Sequence, residues 1–466
     1  KNASNVTEYH FSTGTSWTSL GAQAALGGKT SQASFKLDTD NKVVFVDGAN
    51  FPSIYNSNGD GFTILTSAPA AVQGSSHVIV FKNTGFYAKG SNLNYCAPLS
   101  VDDFSSSNGA GVINVGNDIT GLAVFRDQLI VFTTDSVRRL SGNTAADFAL
   151  SSITDRIGCI NGDTIQEVGG DIMYLAPDGI RLLSATDRIG DFGLDIASDP
   201  ISKDASTFLT GSSNFASVIL REKAQYRIFS YVESEQNQVA KGLIATKFVS
   251  QGAAGISWST TKGIKAFIAD SRYSNTSETV SFANTDGYIY ILNTGSSFDG
   301  SVIEAIYESP YMPISDPQIR KSFYKMTLYA EPTGSMSVDL NISYDFGSTT
   351  NTGLVQPDTQ NISSTGTAVF IFGASDALFA SSNSIANNTI LSSPGPWPNY
   401  PNQAGPFYNE SGVAFTPATY GGELDKIYIS NIIGSGKTIA IRIEDSSTNP
   451  TFTLDTALLE FAQNDR

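Results

Sequence analysis

Reactive and metal-binding side chains are scarce in this chain. Its 466 residues hold two cysteines, two histidines, four methionines and three tryptophans, and only 15% of them are charged. Cys96 and Cys159 cannot build a disulfide framework; a reducing compartment fits them, and a single bridge between them is the other reading. A thiolate or imidazole metal centre needs three or four clustered ligands, more than this supply provides. No run of about 18 apolar residues occurs, so no helical membrane span is expected. His10 and His77 stand far apart without the flanking pattern of a nucleophile elbow, and His77 reads as an ordinary strand-edge residue. These absences predict no enzyme and no cofactor.

What the chain has in quantity is strand and turn material: 28 Phe, 19 Tyr and 42 Gly. Five segments repeat one pattern, an apolar strand, a tight polar turn and a second apolar strand. They are "VVFVDGANFPSIY" from Val43, "VIVFKNTGFYAKG" from Val78, "LIVFTTDSVRRLSG" from Leu129, "IMYLAPDGIRLLSA" from Ile172 and "VSFANTDGYIYILN" from Val280. With a sixth pair at Tyr226, the starts fall 35 to 54 residues apart. An isolated hairpin cannot bury its apolar face, so hairpins repeated at this interval must pack on one another, as the blades of a β-propeller do. The sequence predicts an all-β chain: an N-terminal arm or edge strand over residues 1–39, a propeller of about six blades over 40–315, and a β-sandwich or jelly-roll-like domain over 316–466. Period-two alternation in "FYKMTLYAEPTGSMSVDLNISYDFG", "ELDKIYISNI", "KTIAIRIEDSS" and "FTLDTALLEF" carries the last assignment. A short helix is expected at "SDPISKDASTFL", capped by Ser198 or Asp199 with Pro200 in its first turn, as a surface insert.

The formal net charge is -16, from 44 acidic and 28 basic side chains. That sign disfavours gripping nucleic acid by counterion release and adsorbing to anionic membrane. It suits a surface built for solubility, and it equally suits a wall along which DNA slides without being held.

Few residues offer chemistry. In "NSNGDG", Asn56, Asn58 and Asp60 partly match the spacing of a calcium loop, but Asn56 replaces the usual Asp and Ser67 occupies the place of the bidentate Glu, so the segment reads as a plain turn and calcium is the weaker reading. Asp135, Asp178 and Asp286 sit on hairpin turns where sialidase-type propellers carry Asp boxes; no Trp follows them, and they read as turn formers. "GSGKT" from Gly434 lacks the first glycine of a phosphate loop and reads as a hairpin turn. The Pro-dense stretch 392–411 presents Trp397, Tyr400, Phe407 and Tyr408, either as anchors for a partner or as a lid folded back on the sandwich.

The run "PLSVDDFSSSNGAGVINVGNDITGLAVFRDQLIVFTTDSVRRLSGN" from Pro98, its continuation "IGCINGDTIQEVGGDIMYLAPDGIRLLSATDRIGDFGLDIASDPI", the upstream "KVVFVDGANFPSIYN" and the closing "FTLDTALLEFAQNDR" resemble tailed-bacteriophage tail nozzle proteins, also called tail tubular protein B or head-completion stabilisation proteins. The likeness touches roughly residues 42–201 and the extreme C-terminus. It implies a structural virion protein of the tail, assembled in the bacterial host cytoplasm. Such a subunit forms a ring, expected to be hexameric, that extends the portal and adaptor channel, meets tail fibre or tail-tip proteins, retains packaged double-stranded DNA and conducts it during ejection. No active site comes with the family. The competing reading is a secreted or surface propeller that binds glycans, an adhesin or lectin, for which Trp17, Trp258 and Trp397 would have to follow the repeat, and they do not.

Overall fold

The computed structural model describes residues 5–12, 16–37, 40–56, 61–184, 196–209, 214–231, 240–250, 253–274, 277–284, 287–295, 297–298, 300–332, 336–347, 357–364, 369–371, 419–421, 427–447 and 452–464. They form two compact units, Lys1–Asn293 and Thr294–Arg466.

In the first unit a hairpin, β1 (Glu8–Ser12) and β2 (Trp17–Ala22), precedes six antiparallel sheets. The first sheet is β3 (Ser31–Leu37), β4 (Asp40–Val46), β5 (Ser53–Asn56) and β6 (Gly61–Ile64). The second is β7 (His77–Phe81), β8 (Thr84–Lys89), β9 (Asn92–Tyr95) and β10 (Gly111–Asn114), and the third is β11 (Ile119–Phe125), β12 (Gln128–Thr133), β13 (Val137–Ser141) and β14 (Ala149–Thr154). The fourth comprises β15 (Gln166–Val168), β16 (Asp171–Ala176) and β17 (Gly179–Leu182), with a single bridge from Arg181 to Ile196 at its outer edge. The fifth is β18 (Asn214–Leu220), β19 (Gln225–Tyr231), β20 (Lys241–Ser250) and β21 (Ala253–Lys262); the sixth is β22 (Ile268–Ser274), β23 (Ser277–Ala283) and β24 (Ile289–Ile291). Each sheet is a meander of consecutive strands, and the first strands are the ones that touch: β3 meets β7, β7 meets β11, β15 meets β18, and β18 meets β22. Six such blades are the β-propeller expected from the repeat.

The period-two rule explains why these strands read as continuous apolar runs. On β12, Leu129 and Val131 face a core shared with the second sheet, through Phe86 and Leu93, while Ile130 and Phe132 face one shared with the fourth, through Ile172 and Tyr174. On β16, Ile172 and Tyr174 turn one way and Met173 and Leu175 the other, onto Phe215 and Tyr226 of the fifth sheet. Both faces of a blade are therefore interior, which removes the polar alternation of a half-exposed strand.

The blades begin at Ser31, His77, Ile119, Gln166, Asn214 and Ile268, intervals of 42 to 54 residues. The hairpins visible in the sequence are spaced less evenly because the one at Val78 is strands one and two of its blade, whereas the others are strands two and three. Two of the tightest turns, Lys82–Asn83 and Arg126–Asp127, have positive φ at both central residues, the geometry that matches the twist of a two-residue hairpin. The Lys82 ammonium lies 2.6 Å from the Asp127 carboxylate, tying the two turns together.

Three local readings change. Residues 31–37 are not part of an arm: β3 pairs with β4 and opens the first blade, while Tyr9 of β1 stacks on Phe45 at 4.8 Å between ring centroids. The expected helix exists as a short 3-10 turn, Asp199–Ile201, running into α1 (Ser202–Leu209), but it is not a mere surface insert, because Ala205 and Phe208 are buried and α1 packs on β17 and β20. Ser198 does not cap it; its hydroxyl accepts the Ile180 amide at 3.0 Å instead.

The second unit holds the short pair β25 (Ser297–Phe298) and β26 (Ser301–Val302), then β27 (Ala305–Glu308), β28 (Lys321–Pro332), β29 (Met336–Tyr344), β30 (Gln360–Ser364), β31 (Val369–Ile371), β32 (Thr419–Gly421), β33 (Ile427–Gly436), β34 (Ile439–Asp445) and β35 (Phe452–Gln463). Sheet β27-β34-β29-β30 packs on sheet β33-β28-β35 around Phe323, Met326, Leu328, Leu340, Tyr344, Ile432 and Ile439, a β-sandwich. This unit starts ahead of residue 316 because Ala305–Glu308 pairs with Arg442–Asp445. The "GSGKT" turn joins strands of different sheets, not the two strands of one hairpin, and Asp345 accepts the Lys437 and Thr438 amides at 2.7 and 3.0 Å to hold the crossing.

Burial on both faces makes a test. Leu129→Ala, facing the second blade, and Phe132→Ala, facing the fourth, are each expected to cost about 2–5 kcal/mol in urea unfolding. A loss below about 1 kcal/mol at either position would contradict a strand interior on both sides.

Candidate functional site

The residues that enter the first strands converge on one charged group. Lys29, two residues before β3, places its ammonium 2.8 Å from Asp163 Oδ2 and donates to the Phe215 carbonyl at 2.8 Å. The same ammonium lies 4.6 Å from the centroid of the Phe267 ring, just before β22. One side chain from the start of the first blade thus touches the fourth, fifth and sixth, and the run of sheets closes on itself. A charge-assisted hydrogen bond and a cation–π contact hold it there.

Asp163 is placed by a 3-10 turn, Gly162–Thr164, which Asn161 caps by accepting the Asp163 amide at 2.8 Å. The turn is held from several sides: Ser217 Oγ donates to the Asp163 carbonyl at 2.7 Å, and Tyr226 donates its buried hydroxyl to the Thr164 carbonyl at 2.8 Å. Close approach requires glycine here. A Cβ on Gly162 would stand 2.3 Å from the Thr120 carbonyl oxygen, 3.1 Å from the Gly121 Cα and 3.1 Å from His77 Cε1. His77 is therefore a hub residue, at the junction of the second, third and fourth blades, rather than an ordinary strand edge. Burial pushes its imidazole below the ordinary value, against the pull of the Asp163 charge, so the ring is neutral at pH 7.

Most polar groups of this hub are engaged, while the Thr120 hydroxyl is buried without a hydrogen-bond partner among the described residues. Cys159 lies beside the hub, with its thiol 3.8 Å from Thr164 Oγ1, and burial pushes that thiol up to about 11, so the sulfur is protonated and no nucleophile. Cys96, buried after β9, is likewise pushed to about 11 by burial and donates to the Ser100 carbonyl. Both cysteines are free. Among the described residues no three His, Cys, Asp or Glu side chains gather as a metal site, and no helix is long and apolar enough to cross a membrane.

The residues singled out in the sequence do not come together. Asn56 is buried at the end of β5, opposite Lys42 and Gly61, while Asn58 and Asp60 lie outside the described residues, as do Trp397, Tyr400, Phe407, Tyr408 and Asp286. His10 sits on β1 with Nε2 3.4 Å from Glu8 Oε1. Asp135 accepts the Thr133 hydroxyl at 3.3 Å and the Asn117 side-chain amide at 2.5 Å, as a turn former should. Asp178 does more: it takes Arg181 Nε at 3.0 Å and Nη2 at 2.5 Å, balancing a guanidinium that is 1% exposed. Sequence reasoning missed this pair, whose i, i+3 spacing across a turn is its only trace. It also missed Lys321, fully buried in the sandwich, whose ammonium donates to the carbonyls of Asp316 and Lys437.

Two of the sheet edges carry clustered exposed apolar side chains. In the sixth blade β24 pairs, among the described residues, with β23 alone, and Tyr288, Ile289 and Ile291 are exposed, Tyr288 at 68%. In the sandwich β27 pairs, among the described residues, with β34 alone, and Ile306 and Tyr307 are exposed. Bare edges of this kind are templates for pairing with another chain.

No family model matches the chain, and no curated protein matches it. Among solved structures it is similar to a chain of a mitotic checkpoint complex (10% identity, TM-score 0.37, covering 59% of this chain and 77% of that one). It is similar also to an extracellular domain assigned to a one-component system from B. thetaiotaomicron (11%, TM-score 0.33, 63% and 35%). A third is PorZ, a bacterial surface component of the type-IX secretion system of Porphyromonas gingivalis (12%, TM-score 0.30, 60% and 35%). At TM-scores this low nothing about the present chain is drawn from them.

Two measurements check the hub. Lys29→Met should lower stability by about 1–2 kcal/mol, reduced from a fully buried value because Asp163 is partly exposed; a change below about 0.3 kcal/mol would remove Lys29 as the closing contact. Because the His77 imidazole is depressed in the folded state, its contribution is complete above about pH 6.5 and is lost as pH falls through the folded value. His77→Gln should flatten that acid-side decline relative to the wild type, and an unchanged pH profile would contradict the assignment.

Proposed function

We propose that this chain is a structural subunit of a tailed-bacteriophage tail nozzle, one of a ring of identical copies, six on the family pattern. The ring extends the portal and adaptor channel, retains packaged DNA and conducts it at ejection. It is a conduit and not an enzyme. The observation that carries the reading is the pair of open apolar edges, Tyr288–Ile291 and Ile306–Tyr307, which a free monomer gains nothing by exposing and a ring subunit buries against its neighbours.

Three further points support it. The segments resembling nozzle proteins run through the first four propeller blades and the last strand of the sandwich, β35. Lys29 ties the start of the first blade to Asp163 of the fourth and the Phe215 carbonyl of the fifth, which favours a conduit between copies over one through a single propeller. An excess of acidic over basic side chains, net -16, keeps passing phosphates from being held.

The test is native mass spectrometry of the full chain, alone and with portal and adaptor complexes. The wild type should form closed rings, and the double variant Ile289→Lys, Ile291→Lys should weaken assembly by about tenfold or more while keeping its far-ultraviolet spectrum. A wild type that stays monomeric with and without portal complexes and is retained by immobilised glycans would overturn the proposal.

A further inference from the structure

A cavity of about 200 Å³ opens between the fourth and fifth blades, where α1 packs on both. Its walls are Val168, Met173, Leu182, Ala245, Gly255 and Ile256, and two charged side chains, Asp171 and Lys247, complete the lining. The two charges are not equivalent. Asp171 is already engaged: its Oδ1 accepts the Ile172 amide at 2.8 Å and the Ser184 amide at 3.0 Å, and its Oδ2 accepts the Ser184 hydroxyl. Lys247 is exposed, and among the described residues its ammonium is in no ion pair. Its side chain lies across Gly169, where a Cβ would stand 2.8 Å from the ammonium nitrogen, so the absence of a side chain there keeps Lys247 against the turn that borders the cavity. Arg126 reaches that turn from the third blade and donates to the Gly170 carbonyl at 3.0 Å, adding a second cation to its surroundings.

From an apolar chamber with one unneutralised ammonium at its wall, we infer that the cavity between the fourth and fifth blades is a binding site for an amphipathic monocarboxylate, with its hydrocarbon among Met173, Leu182 and Ile256 and its carboxylate on Lys247. A dry apolar cavity of about 150 Å³ holds benzene, so this one has room for a body of roughly eight to ten heavy atoms. A neutral analogue would forgo the charged contact, and an amine would meet the ammonium with like charge.

The experiment titrates the full chain with octanoate, 1-octanol and octylamine and follows binding by calorimetry and by methyl NMR. The chain has only four methionines, and Met173 alone lines this cavity. Octanoate should bind saturably and shift the Met173 methyl while Met312, Met326 and Met336 stay in place. Octanol should bind about tenfold more weakly, and Lys247→Met should bring octanoate down to the level of octanol, a difference of about 1.4 kcal/mol. Lys247→Arg should retain octanoate binding, and Ala245→Phe, which fills the chamber, should abolish binding of both probes. Lys247 is exposed, so its variants read out binding even if Ala245→Phe fails to fold. Absence of saturable octanoate binding to the wild type would overturn the inference, as would binding indifferent to head group and to Lys247, or a shift at methionines other than Met173.

Discussion

A blade of three or four short strands with apolar residues on both faces cannot stand alone, and every feature of the first unit follows from that constraint. Leu129 and Val131 commit β12 to the second blade while Ile130 and Phe132 commit it to the fourth, so no sheet is satisfied until the next is in place. A linear stack would leave an apolar face bare at each end. Lys29 links the start of the run to its later blades, bonded to Asp163 and Phe215 and lying over Phe267. The first strands approach closely at the hub, as Gly121 and Gly162 require.

That closure shapes what the propeller can do. Its thiols are sequestered and protonated, the Ser217 and Tyr226 hydroxyls are committed to backbone carbonyls, and the His77 imidazole packs against Gly162. The surface offers edges: among the described residues, β24 and β27 end their sheets with exposed aromatic and branched side chains. In the proposed nozzle, the interior of each subunit is rigid filler and the interfaces between copies define the channel.

Much of the fold was legible because strands buried on both faces announce themselves, as "LIVF" and "IMYL" do, and because turn residues such as Asn83 and Asp127 mark the reversals. The first strands were hidden. In β3, "SQASFKL", Ala33 and Phe35 turn inward, but they stand among Ser31, Gln32, Ser34 and Lys36, which read as a polar arm. Lys29 lies in that same stretch, so the residue that closes the ring carried no local signal; its partners are distant in sequence by 134 and 186 positions. Asp178 illustrates the opposite error, a turn former by composition that also neutralises Arg181. The candidate site was less legible than the fold, since edges become visible only when strand order is known. The aromatic stretch 392–411 and the Asn58–Asp60 turn lie outside the described residues.

Locating this polypeptide in an intact particle tests the central claim most directly. Cryo-electron microscopy of tailed virions carrying the chain, with the polypeptide traced in density, should place copies in a closed ring below the portal and adaptor, β24 and β27 covered by neighbouring copies, and the DNA path on the ring axis outside every propeller hub. Density that placed isolated copies on an outer surface, with those two edges bare and glycan on the exposed face, would contradict it.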